Sequence, residues 1–80
     1  DKSYVKHGIS PNEAEEVFLD ENALLQEDIK HSQHEQRYVL MGKTLNNKLL
    51  FCIFTMRKLK VRVISVRTAD NHERKQYETT

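Results

Sequence analysis

The stretch from Lys48 to Arg67 constrains this chain more than any other. It holds two runs dense in β-branched and aromatic residues, Leu49-Leu50-Phe51-Cys52-Ile53-Phe54 and Val61-Arg62-Val63-Ile64-Ser65-Val66-Arg67, separated by the charged break Arg57-Lys58-Leu59-Lys60. That pattern predicts a strand, a tight turn and a strand. The first run is apolar on six consecutive positions, too few for a membrane span or an ordinary helix, so it is expected as a central strand with both faces covered. In the second run a period of two assigns Arg62, Ile64 and Val66 to one face and Val61, Val63, Ser65 and Arg67 to the other. Each face then carries an arginine among apolar neighbours. Such an arginine either snorkels to the sheet edge or marks an anion site.

A chain of 80 residues with 38% hydrophobic residues is expected to form one small domain over residues 1–80, with a modest core. The single cysteine, Cys52, has no internal disulfide partner and lies in the apolar strand. It reads as a small buried hydrophobe of a reducing, cytoplasmic protein. No stretch has the pattern of a signal peptide or a transmembrane helix. Asp1 to Lys6 reads as the tail of a helix with no start signal, so the chain is expected to be truncated at its N-terminus.

Charge is distributed unevenly. Residues 1–35 hold three lysines against nine acids, whereas residues 36–68 hold eight cations and no acid. A basic sheet region beside an acidic helical region fits a domain that binds a polyanion on one surface, and equally a basic face that is merely solvated.

Along the chain, Gly8 is placed to end a helix, and Ser10 with Glu13 forms a capping box around Pro11 that starts the next one. Ala14, Val17 and Phe18 share its apolar face. Ala23-Leu24-Leu25 fits a short edge strand or a helix end, with the strand favoured. The polar segment Asp28 to Gln36 leads into a strand from Arg37 to Gly42, and Asn46-Asn47 turns the chain back into the central strand. His31, His34 and Glu35 do not complete a metal-ligand set at a characteristic spacing, and no metal or cofactor is expected. Asp70 and Glu73 form a second capping box for a C-terminal helix through Tyr77, in which Glu73 and Tyr77 share the side nearest the sheet. The expected fold is α+β: a short strand and an antiparallel β-meander with N-terminal helices and a C-terminal helix, all packed on one face, the other left for a partner.

These residues resemble the BrnT family of toxins from bacterial type II toxin–antitoxin pairs. The resemblance runs through Lys6-His7-Gly8-Ile9-Ser10, Glu13-Ala14, Val17-Phe18, Asp20, Asp28, His31-Ser32, Glu35, Arg37 and Gly42. It continues through Thr55, Arg57, Arg62-Val63-Ile64-Ser65, Arg67, Ala69, Glu73-Arg74 and Tyr77. Family members usually open with a strand and a Trp-Asp segment that this chain lacks, and usually have a Gly-containing turn where Lys58-Leu59 stands.

What the resemblance implies is a small RelE-like fold and a metal-independent endoribonuclease that slows translation until its antitoxin covers it. It also implies RNA as substrate and a ribbon-helix-helix, BrnA-like antitoxin as partner, with the complex reaching operator DNA through the antitoxin and no role at a membrane. Metal-free RNA cleavage needs a base for the 2′-hydroxyl, a cation for the charge accumulating on phosphate, and an acid for the leaving oxygen. The catalytic candidates are Arg67, His31, Arg57, Arg62 and Tyr77; the RNA-binding candidates are Arg37, Lys58, Lys60, Lys6 and His7. The arginines can clamp phosphate bidentately, and His31 or His7 can titrate near neutrality. Glu35 with Arg37, or Glu73 with an arginine of the sheet, can equally be ion pairs that fix helix to strand. A non-catalytic nucleic-acid- or protein-binding module of the same fold is the alternative.

Overall fold

The computed structural model describes residues 8–31 and 34–79, and of His31 the backbone only. Helix α1 (Pro11–Val17) is followed by β1 (Leu24–Glu27), a 3₁₀ turn (Ile29–His31), β2 (Arg37–Lys43), β3 (Leu49–Arg57), β4 (Lys60–Thr68) and helix α2 (Asn71–Glu78). The four strands form one antiparallel sheet in sequence order, with β3 inside and β1 and β4 at the edges. The α+β class, the meander and the short strand therefore hold. The helix expected before Gly8 falls outside the described residues.

Local chemistry sets the element ends. The Ser10 hydroxyl accepts from the Glu13 amide at 3.2 Å while the Glu13 carboxylate accepts from the Ser10 amide at 3.0 Å, and Pro11 fills the first turn. Asp70 and Glu73 repeat this arrangement at α2. Gly8 takes a φ of 72°, a left-handed conformation that costs glycine little. Lys58 and Leu59 turn β3 into β4 with φ of 50° and 68°, the conformation of a two-residue hairpin that glycine and asparagine adopt easily and leucine does not. That turn stores about 1–2 kcal/mol per non-glycine residue.

Directly paired residues of neighbouring strands share a face, so the register defines two faces. The first presents Tyr38, Leu40 and Gly42 from β2, Leu50, Cys52, Phe54 and Met56 from β3, and Val61, Val63, Val66 and Thr68 from β4. Against it α1 packs Ala14 and Val17, and with Ile9 and Phe18 they close the main core. Phe54 sits between Phe18, edge-on at 5.2 Å, and Tyr38, stacked at 5.4 Å. Gly42 lets α1 approach, because a Cβ there would lie 3.0 Å from both the Val17 carbonyl oxygen and its Cγ1.

The second face holds a smaller cluster in which Met41, Leu49 and Ala69 are buried and Leu24, Phe51 and Tyr77 are partly covered. Helix α2 lies on this face, opposite α1. The expectation that all helices share one face is corrected here. Glu73 and Tyr77 find their partners, Arg67 and Asp20, around the second face and its rim, and no residue of α2 is fully buried.

A β-bulge also corrects the reading of the last strand. Ile53 pairs with Ser65 but Phe54 pairs with Val63, so Ile64 is an extra residue in β4. Alternation restarts across it. Arg62, paired with Thr55, and Arg67, paired with Phe51, therefore lie on the same face, where strict period two had separated them.

Candidate functional site

The bulge produces a complete segregation of charge. On the second face stand Arg37 and Lys43 of β2, Arg57 of β3, and Lys60, Arg62 and Arg67 of β4. The first face of those three strands carries no charged side chain. Lys58 lies in the turn, and Lys48 precedes β3 and pairs with Glu13 of α1 at 2.8 Å. From outside the strands, the carboxylates of Glu35 and Glu73 reach the cationic face.

The cations fall into two groups. At one end, Arg37, Thr55 and Arg62 form a cross-strand row, with Arg57 and Lys60 paired just beyond. At the other, Met41, Phe51 and Arg67 form a row beside α2. The rows are four residues apart along β3, about 13 Å at strand rise. Between them lie half-buried Val39, Ile53 and Ser65. The face is thus a mainly aliphatic strip, with one serine, flanked by guanidinium groups.

Arg57 is exposed and makes a 3.2 Å contact with Glu35. Glu35, which the sequence offered as a possible ion-pair partner of Arg37, contacts Arg57, while Arg37 is half-buried in β2. Thr55, buried between Arg37 and Arg62, donates its hydroxyl to the Gln36 carbonyl at 2.7 Å and so fixes the entry of β2.

Arg67 is held on three sides. Its guanidinium carbon lies over the Phe51 ring, 4.2 Å from the centroid, a cation–π contact. Its Nη1 and Nη2 donate to the two Glu73 carboxylate oxygens at 2.8 and 2.7 Å, and Nη1 also reaches the Thr68 carbonyl at 3.3 Å. The hydrogen bond from Arg67 holds the Glu73 carboxyl below its ordinary range, and the same bond raises the arginine. The expected ion pair between Glu73 and a sheet arginine is present.

Tyr77 is engaged elsewhere. Its hydroxyl donates to Asp20 at 2.5 Å, and the same carboxylate oxygen accepts the Lys43 amide at 2.8 Å. Burial and the neighbouring Asp20 push the phenol up to about 12. Asp20, in the loop after α1, joins three elements, a role that no local sequence pattern signalled.

The 3₁₀ turn that contains His31 connects β1 to β2. Because Glu27 pairs with Tyr38, this connection lies at the Arg37 end of the sheet, opposite Arg67. The His31 side chain, Lys6 and His7 lie outside the described residues. Burial pushes the Cys52 thiol up to about 12, which makes it inert as a nucleophile. Among the described residues no group of three or more His, Cys, Asp or Glu is placed to hold a metal, and no helix is long and apolar enough to cross a membrane.

The family described as "Ribonuclease toxin, BrnT, of type II toxin-antitoxin system" matches residues 1–73 of the sequence. The chain belongs to the BrnT family. Ribonuclease activity and membership of a toxin–antitoxin pair are thereby attributes of its family. The match takes in every strand and ends within α2 at Glu73, the partner of Arg67. Tyr77 lies past it. No relative among curated proteins matches the chain.

Proposed function

We propose that this BrnT member is an endoribonuclease of RelE-like fold that cuts RNA with its own side chains, without a metal, and is neutralised in the cytoplasm by a ribbon-helix-helix antitoxin. The reading rests on one observation: every cation of β2, β3 and β4 lies on one sheet face and no charged residue of those three strands on the other. That arrangement suits a polyanion laid across strands, with guanidinium forks at phosphates. The mainly aliphatic strip between the two groups of cations offers contact to sugars and bases without reading a sequence.

In this reading Arg37, Arg57, Arg62 and Lys60, with Lys58 at the turn, bind phosphates at one end, and Arg67 stabilises charge on a phosphate at the other. His31 and His7 are the candidates for proton transfer, by the chemistry of imidazole. Tyr77 acts through the helix it anchors. Induced expression without the antitoxin should arrest bacterial growth and fragment RNA, co-expression of the antitoxin should restore growth, and cleavage by the purified protein should survive EDTA. Intact RNA in arrested cells would reject the nuclease reading, and loss of cleavage in EDTA would reject its metal independence.

The ion pairs of Arg57 and Arg67 favour a second reading, a binding module whose arginines are structural. Such a module would bind RNA in a salt-dependent manner and leave it uncut.

A further inference from the structure

A guanidinium group has two edges that can each receive an oxyanion bidentately, one formed by the two terminal nitrogens and one by Nε and Nη2. In Arg67 the first edge is filled by Glu73 and the spare Nη1 hydrogen is directed to Thr68. Among the described residues the Nε hydrogen and the second Nη2 hydrogen have no acceptor, and the side chain is 43% exposed while that of Glu73 is 12% exposed. The group sits over the Phe51 ring, its Cζ 4.2 Å from the ring centroid. Glu73 is itself fixed, because its Oε1 accepts the Asp70 amide at 2.9 Å as part of the α2 capping box.

We propose that Phe51 and Glu73 are positioning residues that present the Nε–Nη2 edge of Arg67 as the seat for one RNA phosphate. The proposal rests on the RNA-binding reading above and adds which edge of which guanidinium takes the phosphate and what holds it there. The Glu73 carboxylate neutralises much of the arginine's long-range attraction, so Arg67 contributes direction rather than steering. Lys60 and Arg62, which pair with no carboxylate among the described residues, supply the steering. A pre-oriented fork loses little side-chain freedom on binding, which is where a restrained arginine gains over a mobile one. The position also agrees with the sheet geometry: Arg67 is on the same face as Arg62, at a separation that one extended strand of RNA can bridge.

The test is an NMR titration of the whole chain, labelled with ¹⁵N, using a short 2′-O-methyl RNA that binds but cannot be cut. The Arg67 Nε–H signal should move downfield on addition of the oligomer, as a charge-assisted bond to phosphate forms. In Glu73→Gln, which retains the amide-capping oxygen, and in Phe51→Leu, that response should shrink or broaden away while the response near Arg62 persists. Affinity should fall on the order of threefold in each, and on the order of tenfold in Arg67→Ala, with the other two changes adding nothing in the Arg67→Ala background. An oligomer that binds without moving the Arg67 Nε–H signal overturns this proposal and leaves the RNA-binding reading standing. Additive losses in the double variants also overturn it. An oligomer that does not bind overturns both.

Discussion

The Tyr77 hydroxyl donates a 2.5 Å hydrogen bond to the Asp20 carboxylate across 57 residues of chain, and this bond ties the end of α2 to the rest of the protein. It joins a helix without fully buried residues to the loop after α1 and, through the Lys43 amide, to the end of β2. The Lys43 ammonium lies 5.6 Å from the Tyr77 ring centroid and adds to the contact. Tyr77→Phe keeps the ring and removes the donor. It should cost about 1 kcal/mol, below the value for a fully buried charged bond because Asp20 retains two amide donors and is partly solvated. Thermal melting should show a fall of roughly 4–8 °C, and RNA cleavage at temperatures well below the melt should be unchanged. A lost cleavage rate at unchanged melting temperature would instead put the phenol in the reaction.

The same contacts set a pH window. Burial raises the Asp20 carboxyl, but donors from Tyr77, Lys43 and Asn22 outweigh it and leave it below its ordinary value of 3.8. Glu73 is held below 4.5 chiefly by Arg67. Both therefore contribute stability that is present above those ordinary values and lost as pH falls through the lowered ones. Tyr77 behaves oppositely, since its phenol is raised from 10.0 to about 12. Its contribution is complete below pH 10 and is lost as pH rises towards 12. The melting temperature should be level between these limits and fall on both sides, and Tyr77→Phe should flatten part of the alkaline fall. An alkaline limb identical in parent and variant would contradict this assignment.

Strand order, both capping boxes and the main core were legible in the sequence because each rests on local pattern: apolar runs, Ser10 with Glu13, Asp70 with Glu73. The bulge at Ile64 was not, since an extra residue in a strand of β-branched residues leaves no mark on composition, and reading through it separated Arg62 from Arg67. The side taken by α2 was also hidden, because it depends on Asp20 and Phe51, which are remote in sequence from the helix. The basic face was visible only as an acid-free stretch. Its confinement to one side of the sheet needed the register.

Gly42 illustrates a residue whose identity follows from packing alone. Gly42→Ala places a methyl group 3.0 Å from the Val17 carbonyl oxygen and 3.2 Å from the Ala23 Cβ. The Val17 side chain is fully buried and β-branched, which restricts its rotamer in a helix, and the carbonyl is part of the α1 backbone. Overpacking of this kind costs about 1–3 kcal/mol, against a gain of about 0.4–1 kcal/mol from restricting the unfolded chain. The urea midpoint should therefore fall, while RNA affinity measured below the melt should hold, because Gly42 lies on the face opposite the cations. An unchanged or raised midpoint would mean that α1 can move away at little cost.

Charge segregation across the sheet is testable with two substitutions that change the net charge equally. Arg62→Ala removes an exposed cation from the proposed RNA face. Lys48→Ala removes one whose ammonium is committed to Glu13 beside α1. Neither side chain is buried, so both variants should melt within a few degrees of the parent. If RNA binding reflected overall charge alone, the two would weaken it alike. If phosphates lie across the second face, Arg62→Ala should weaken binding on RNAs of any sequence and lower the slope of log affinity against log salt by about 1, while Lys48→Ala should leave that slope unchanged. Fluorescence anisotropy with a 2′-O-methyl oligomer over a series of salt concentrations measures both quantities. Equal slopes for the two variants would remove the argument from the bulge at Ile64, because aligning Arg62 with Arg67 would then confer nothing that a cation elsewhere on the protein does not.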